Sequence, residues 1–268
     1  MKKLIINADD LGFSHGVNAA IVELAARGRI SSASFMRYGV LETSQRDALT
    51  DSGIDIGLHF DLTSPLCPDA RPLTAWLASS LLGMVSTTSI RRSAEAQLQG
   101  FADVWQRPPA FIDGHQHVHQ LPVIRDALSA VWVHHYPAHA PQWRITRPFQ
   151  GTGSLKAQVI YALGGRGLLR RCRASGWRHN TAFGGAYGFD GDLAALATQW
   201  ERWLHHAPQH GGLVMCHPAQ TTDTAAPDDE IAAARVREWQ WLNSEAFETM
   251  LARHQVQVTG WQRSLAGD

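Results

Sequence analysis

Phe111-Ile112-Asp113-Gly114-His115-Gln116-His117-Val118-His119 is a short apolar run that delivers one carboxylate and three imidazoles within seven residues. Oxygen and nitrogen donors at that density suit a borderline divalent metal. If the run ends a strand, the period of two predicts that His115, His117 and His119 share one face. Pro122 then supplies the fixed φ that opens a following helix. A surface histidine cluster is the plain alternative, because a His-rich tract is by itself only compositional.

The arrangement recurs along the chain. Leu4 to Ala8 is an apolar run ending in Asp9-Asp10-Leu11-Gly12, Ile54 to Leu62 carries His59 near its end, and Gly212 to Cys216 runs into His217-Pro218. Each predicts a buried parallel strand with a polar tip. Shorter strands are expected over Ser32 to Tyr38, Trp143 to Pro148, Thr181 to Gly185 and Val256 to Trp261. Helical periodicity marks a segment that Ser14 caps and Gly28 stops, a segment ending at Gly53, then 90–105, 121–133, 193–204 and one long helix over 231–251. Strand, tip and helix alternate seven or eight times, which argues for an α/β fold with right-handed crossovers. The expected fold is a single irregular (β/α) barrel of seven or eight parallel strands over residues 1–268, with loop insertions near 63–87 and 148–190.

In such a barrel the carboxyl ends of the strands converge on one rim, and Asp9, Asp10, His59, His115 and His217 all sit at such ends. Five acid and imidazole groups on four tips exceed what chance placement would give. Adjacent strand residues face opposite ways, so Asp9 and Asp10 serve one site only if the strand twists or ends there, and Gly12 permits that bend. Asp113 reads either as an orienter of a ligand imidazole or as a turn residue. Arg144 and Arg147, on the 143–148 strand, read either as groups holding substrate or as solvated charge.

The 24 basic residues balance the 24 acidic ones, so nothing global draws the chain to nucleic acid. No stretch reaches the length of a membrane span. Cys67, Cys172 and Cys216 lack metal or redox spacing and fit reduced thiols in a cytoplasmic protein. The basic run Arg166 to Arg178 reads as the solvated face of an amphipathic helix, and the ten tryptophans, scattered at helical positions, read as core.

Asn7-Ala8-Asp9-Asp10-Leu11-Gly12, Gly57-Leu58-His59-Phe60, Asp113 to His119 and Cys216-His217-Pro218-Ala219, in this order, resemble the YdjC-like carbohydrate deacetylases. Arg237-Glu238 with Leu242 and Ser244 is similar to that family's closing helix. The resemblance implies a barrel that removes an acetyl group from an N-acetylated sugar with one divalent metal ion, zinc or magnesium, and it points to a homodimer. It implies Asp10, His59 and His115 as metal ligands, Asp9 as general base and His217 as general acid. His117 and His119 match family positions without a defined role. Leu11 stands where Phe is common in the family, and Gln116 where some members carry another His. Two rival readings are a different metal-dependent amidohydrolase and a sugar-binding or metal-binding protein without turnover.

Overall fold

The computed structural model describes residues 1–152, 154–221 and 229–265. Strands and helices alternate as expected. They are β1 (Lys2–Leu11), α1 (His15–Ala26), β2 (Ser32–Phe35), α2 (Thr43–Ser52), β3 (Asp55–Phe60), α3 (Leu73–Leu81), α4 (Thr87–Trp105) and β4 (Ile112–Gly114). There follow α5 (Ile124–His135), β5 (Gln142–Trp143), α6 (Leu155–Ile160), α7 (Arg166–Ser175), β6 (Arg178–His179) and β7 (Ala182–Gly184). The chain ends with α8 (Leu193–His206), β8 (Gly212–Cys216), α9 (Ala232–Asn243), α10 (Glu245–Arg253), β9 (Val256–Val258) and α11 (Trp261–Leu265).

The sheet runs β6-β5-β4-β3-β2-β1-β8-β7, with β9 added beside β1, and each of these pairings is parallel. Past β5 the chain reaches β7 through a parallel bridge between Pro148 and Phe183, with Phe183 N–H donating to the Arg147 carbonyl at 2.7 Å. That bridge curls the sheet into a barrel. The strand expected over 143–148 therefore pairs regularly only at Gln142–Trp143, because Arg144 to Arg147 cross from one neighbour to the other.

Strand alternation splits the core in two. Leu4, Ile6 and Ala8 of β1 point outward into the main core against Val17, Ile21 and Leu24 of α1, while Ile5 points into the barrel. Inside, Ile5, Phe111, Phe183, Leu213, Met215 and Trp261 form a separate apolar plug. Trp261 of α11 stacks on Phe111 with centroids 4.6 Å apart. The positions one or two steps further along the same strands are the polar tips.

Gly57 makes room for the plug, since a Cβ there would stand 2.4 Å from the Phe111 ring, on which Trp261 stacks. Gly57→Ala is expected to cost roughly 1–3 kcal/mol, read as a lowered urea midpoint at unchanged slope. A midpoint equal to wild type would mean that the plug repacks freely.

Several boundaries differ from expectation for local reasons. The long helix over 231–251 is two helices, because the Ser244 hydroxyl accepts from Phe247 N–H and caps α10. Within 63–87 the chain forms α3, and within 148–190 it forms α6, a π-helical turn over Tyr161–Gly165, α7 and the short β6; Gly153 of that insertion lies outside the described residues. In α7, Leu168, Leu169 and Cys172 are buried while Arg170, Arg171 and Arg173 are exposed, which is the solvated face expected of it. None of the ten tryptophans is exposed, and all three cysteines are buried and free.

Candidate active site

The first tip is a β-bulge. Between Ala8 and Leu11 the pairing of β1 with β2 gains one residue, and Asp10 adopts φ 68, a left-handed conformation that Asp tolerates better than most residues. The bulge turns both carboxylates toward the same place, the condition that serving one site required. Asp9 is 2% exposed and Asp10 is 1% exposed.

Arginines hold one oxygen of each. Asp9 Oδ1 accepts from Arg144 Nη1 at 2.6 Å and from Asn7 Nδ2 at 2.7 Å, leaving Oδ2 facing His59 Nε2 at 4.0 Å and His217 Nε2 at 3.9 Å. Asp10 Oδ2 accepts from Arg235 Nη2 at 2.8 Å. Burial by itself would raise both carboxyl pKa values, but Arg144 for Asp9 and Arg235 for Asp10, with the nearby imidazoles, hold them well below the usual carboxylate range. Both stay ionised.

His59, at the end of β3, joins the two. Its Nδ1–H donates to Asp113 Oδ1 at 2.6 Å, so Nε2 is the atom left to face Asp10 Oδ1, 3.2 Å away. Asp10 Oδ1 is buried and accepts no well-aligned hydrogen bond. Two lone-pair atoms at that separation need a proton or a cation between them. Without a cation the proton is held: burial lowers the His59 pKa, but Asp113, Asp10 and Asp9 together push it up to about 10. His115 completes the group. Its ring lies edge-on to His59 with centroids 6.0 Å apart, and its Nδ1 hydrogen-bonds the Thr63 hydroxyl at 2.7 Å. Burial, the largest influence, lowers the His115 pKa and favours the neutral imidazole that a metal needs.

Asp10, His59 and His115 offer the chemistry a divalent metal takes, one carboxylate and two imidazoles, with the Asp10 oxygen among them unpartnered. Among the described residues, the group that brings one donor atom each within 4.8 Å of one another is instead Asp9, His59 and Asp113. We favour the first trio because Asp113 is spent: Oδ1 accepts from His59, and Oδ2 accepts from the Ser34 hydroxyl at 2.5 Å with Arg144 Nη1 at 3.0 Å. A carboxylate behind a histidine orients it and fixes its tautomer.

The three histidines of the central motif do not share a face. β4 ends at Gly114, and His115–Gln120 form a 3₁₀ turn in which Gln116 and His117 have φ of 50 and 62. His117 is buried edge-on to Phe183, with its Nδ1 unpartnered. His119 Nε2–H donates to the Arg144 carbonyl at 2.9 Å and the ring stacks on Trp143, so it braces the backbone that carries Arg144. Arg144 is fully buried between Asp9 and Asp113, whereas Arg147, three residues on, is exposed.

Sequence reasoning missed Arg235 altogether and gave Glu238 no role. Both lie on α9, where no strand tip marks them; Arg235 bridges Asp10 and Asp229, and Glu238 accepts from the backbone N–H of His217 and from the Tyr187 hydroxyl. The one available signal was a helix carrying charged residues at positions that its periodicity buries.

Among proteins of known name, a chitooligosaccharide deacetylase of Enterobacter sp. (strain 638) is 35% identical over 132 residues, covering 46% of this chain and 52% of that protein. One from Yersinia enterocolitica serotype O:8 is 34% identical over 148 residues, covering 48% and 55%. The chain spans about half the length of the curated relatives it matches. Among solved structures, an Enterococcus faecalis V583 protein to which cellobiose-phosphate cleavage has been ascribed superposes with a TM-score of 0.70 at 18% identity, covering 99% of each chain. That likeness shows a shared fold. The YdjC-like protein family model matches residues 3–253, and the chain belongs to that family.

Proposed function

We propose that this chain is a metal-dependent hydrolase that removes the N-acetyl group from an N-acetylated sugar. The observation that carries the reading is the pairing of an unpartnered Asp10 Oδ1 against His59 Nε2 with a separate acid–base pair, Asp9 and His217, facing each other across 3.9 Å. The deacetylase relatives point to the same bond class. Held by Asp10, His59 and His115, a divalent ion would supply Lewis acidity toward the amide carbonyl and toward water.

The chain's own residues account for the proton movements. Asp9 Oδ1 is committed to Arg144 and Asn7, so Oδ2 is the atom that accepts a proton from the attacking water. His217 Nε2 lies 3.9 Å from that oxygen and, in its protonated form, donates to the departing sugar amine, which is otherwise a poor leaving group. Asp113 keeps His59 in the tautomer with Nε2 free. The buried, unpaired thiols suit a reducing cytoplasm, which is where we place the reaction.

Acetate release from a panel of N-acetylated mono- and oligosaccharides tests this. Chelated protein is expected to be inactive, and reloading with zinc or magnesium to restore release, the better ion being the resident one. Asp113→Asn is expected to weaken metal affinity by about 10–100-fold, measured by competition with a chromogenic chelator. Silence across the panel from protein carrying one metal per chain would leave a binding protein without turnover.

A further inference from the structure

α9 carries two neighbouring side chains, Arg237 and Glu238, that bond the Phe189 carbonyl and the His217 backbone. Glu238 is 2% exposed, its Oε2 accepts from the backbone N–H of His217, and its Oε1 accepts from the Tyr187 hydroxyl at 2.7 Å. His217 directly follows the last residue of β8 and precedes Pro218, so its N–H falls where the strand ladder stops, and Glu238 takes the place of a strand partner. Tyr187 packs on Phe189 with centroids 4.6 Å apart, and Phe189 stands edge-on to the His217 ring at 5.2 Å. Phe189 adopts φ 61, a strained conformation for an aromatic residue, and Arg237 Nη2 holds it there by donating to its carbonyl at 2.8 Å. Backbone and ring of His217 are thus tied to one helix through a closed circuit of Glu238, Tyr187 and Phe189.

We propose that Glu238 is a positioning residue: through the His217 backbone and through Tyr187 and Phe189 it sets the direction of the His217 imidazole toward Asp9. The proposal rests on the deacetylase reading for His217's role as acid, but not for the circuit itself. A buried carboxylate spent on two neutral donors, with no arginine or lysine hydrogen-bonded to it among the described residues, is a costly way to stabilise a fold. It is a direct way to fix a side chain that must meet a substrate within a fraction of an ångström.

The test compares Glu238→Ala, Glu238→Gln and Tyr187→Phe, each in the metal-loaded full chain, by steady-state acetate release and by the side-chain ¹H–¹⁵N signals of His217, assigned with His217→Asn. Glu238→Ala is expected to lower kcat by about 100-fold with KM within about threefold, because misplacement alone costs on that order. Glu238→Gln can accept the His217 N–H through its carbonyl and meet Tyr187 through its amide, and it is expected to recover most of that loss. Tyr187→Phe breaks one arm only and should fall between. The His217 imidazole signals should shift or broaden in Glu238→Ala and return in Glu238→Gln. A kcat per folded molecule within about twofold of wild type in Glu238→Ala, with His217 signals unmoved, overturns the proposal and leaves a purely structural contact. If wild type releases no acetate from any substrate, the deacetylase reading fails, and the His217 signals alone decide the circuit.

Discussion

Asp9→Asn is expected to lower kcat for acetate release by about 10²–10⁴-fold, the range that a positioned general base contributes. The asparagine carbonyl can still accept from Arg144 and Asn7, as Asp9 Oδ1 does, so the barrel should fold and Arg144 should keep its place. What changes is the other atom: an amide nitrogen replaces Oδ2 opposite His217, and it cannot take a proton. Metal stoichiometry should match wild type, since Asp10, His59 and His115 are untouched. Measured together, kinetics and metal content separate the two main readings of the site. A variant within about threefold of wild-type kcat would remove Asp9 from the chemistry, and a variant that loses its metal would move Asp9 into the ligand set.

The parts of this site that could be read from sequence are those that strand geometry dictates. An apolar run fixes a buried strand, and a parallel barrel brings strand ends together, so Asp9, Asp10, His59, His115 and His217 converge without any knowledge of the loops. Alternation also separates Ile5 from Asn7 and Asp9 by depth inside the barrel. Sequence was silent where a residue acts through a partner far away in the chain. Arg235 reaches Asp10 over 225 positions, and nothing in the periodicity of α9 says which carboxylate its guanidinium meets. The shared-face reading of His115, His117 and His119 failed because β4 ends at Gly114, where a Cβ would stand 2.8 Å from the Phe60 carbonyl and the chain turns at once into a 3₁₀ turn. Period-two reasoning holds only while pairing continues, and three paired residues could not be distinguished from seven.

Arg144→Met should be the most destabilising single change at the site, by about 3–5 kcal/mol at neutral pH, because it leaves two buried carboxylates without the cation they share. Arg144 is 0% exposed, with Nη1 2.6 Å from Asp9 and 3.0 Å from Asp113. The pH dependence carries a sharper signature than the size of the loss. In wild type the Asp9 pKa is depressed below its ordinary value of 3.8, so its contribution to stability is present above that value and is lost as pH falls through the folded one. In the variant, burial remains, still the largest influence and one that raises, while the chief opposing charge is gone. The folded pKa then moves upward, and the ionised carboxylate disfavours the native state until it takes a proton. The stability gap between wild type and variant should therefore widen as pH rises from about 4 to about 7. Urea unfolding of chelated protein at a series of pH values reads this directly, chelation keeping metal linkage out of the slopes. A gap that stays constant or closes over that range would mean that Asp9 owes its ionisation to the imidazoles of His59 and His217 rather than to Arg144, and the acid–base assignment at Asp9 Oδ2 would have to be rebuilt around them.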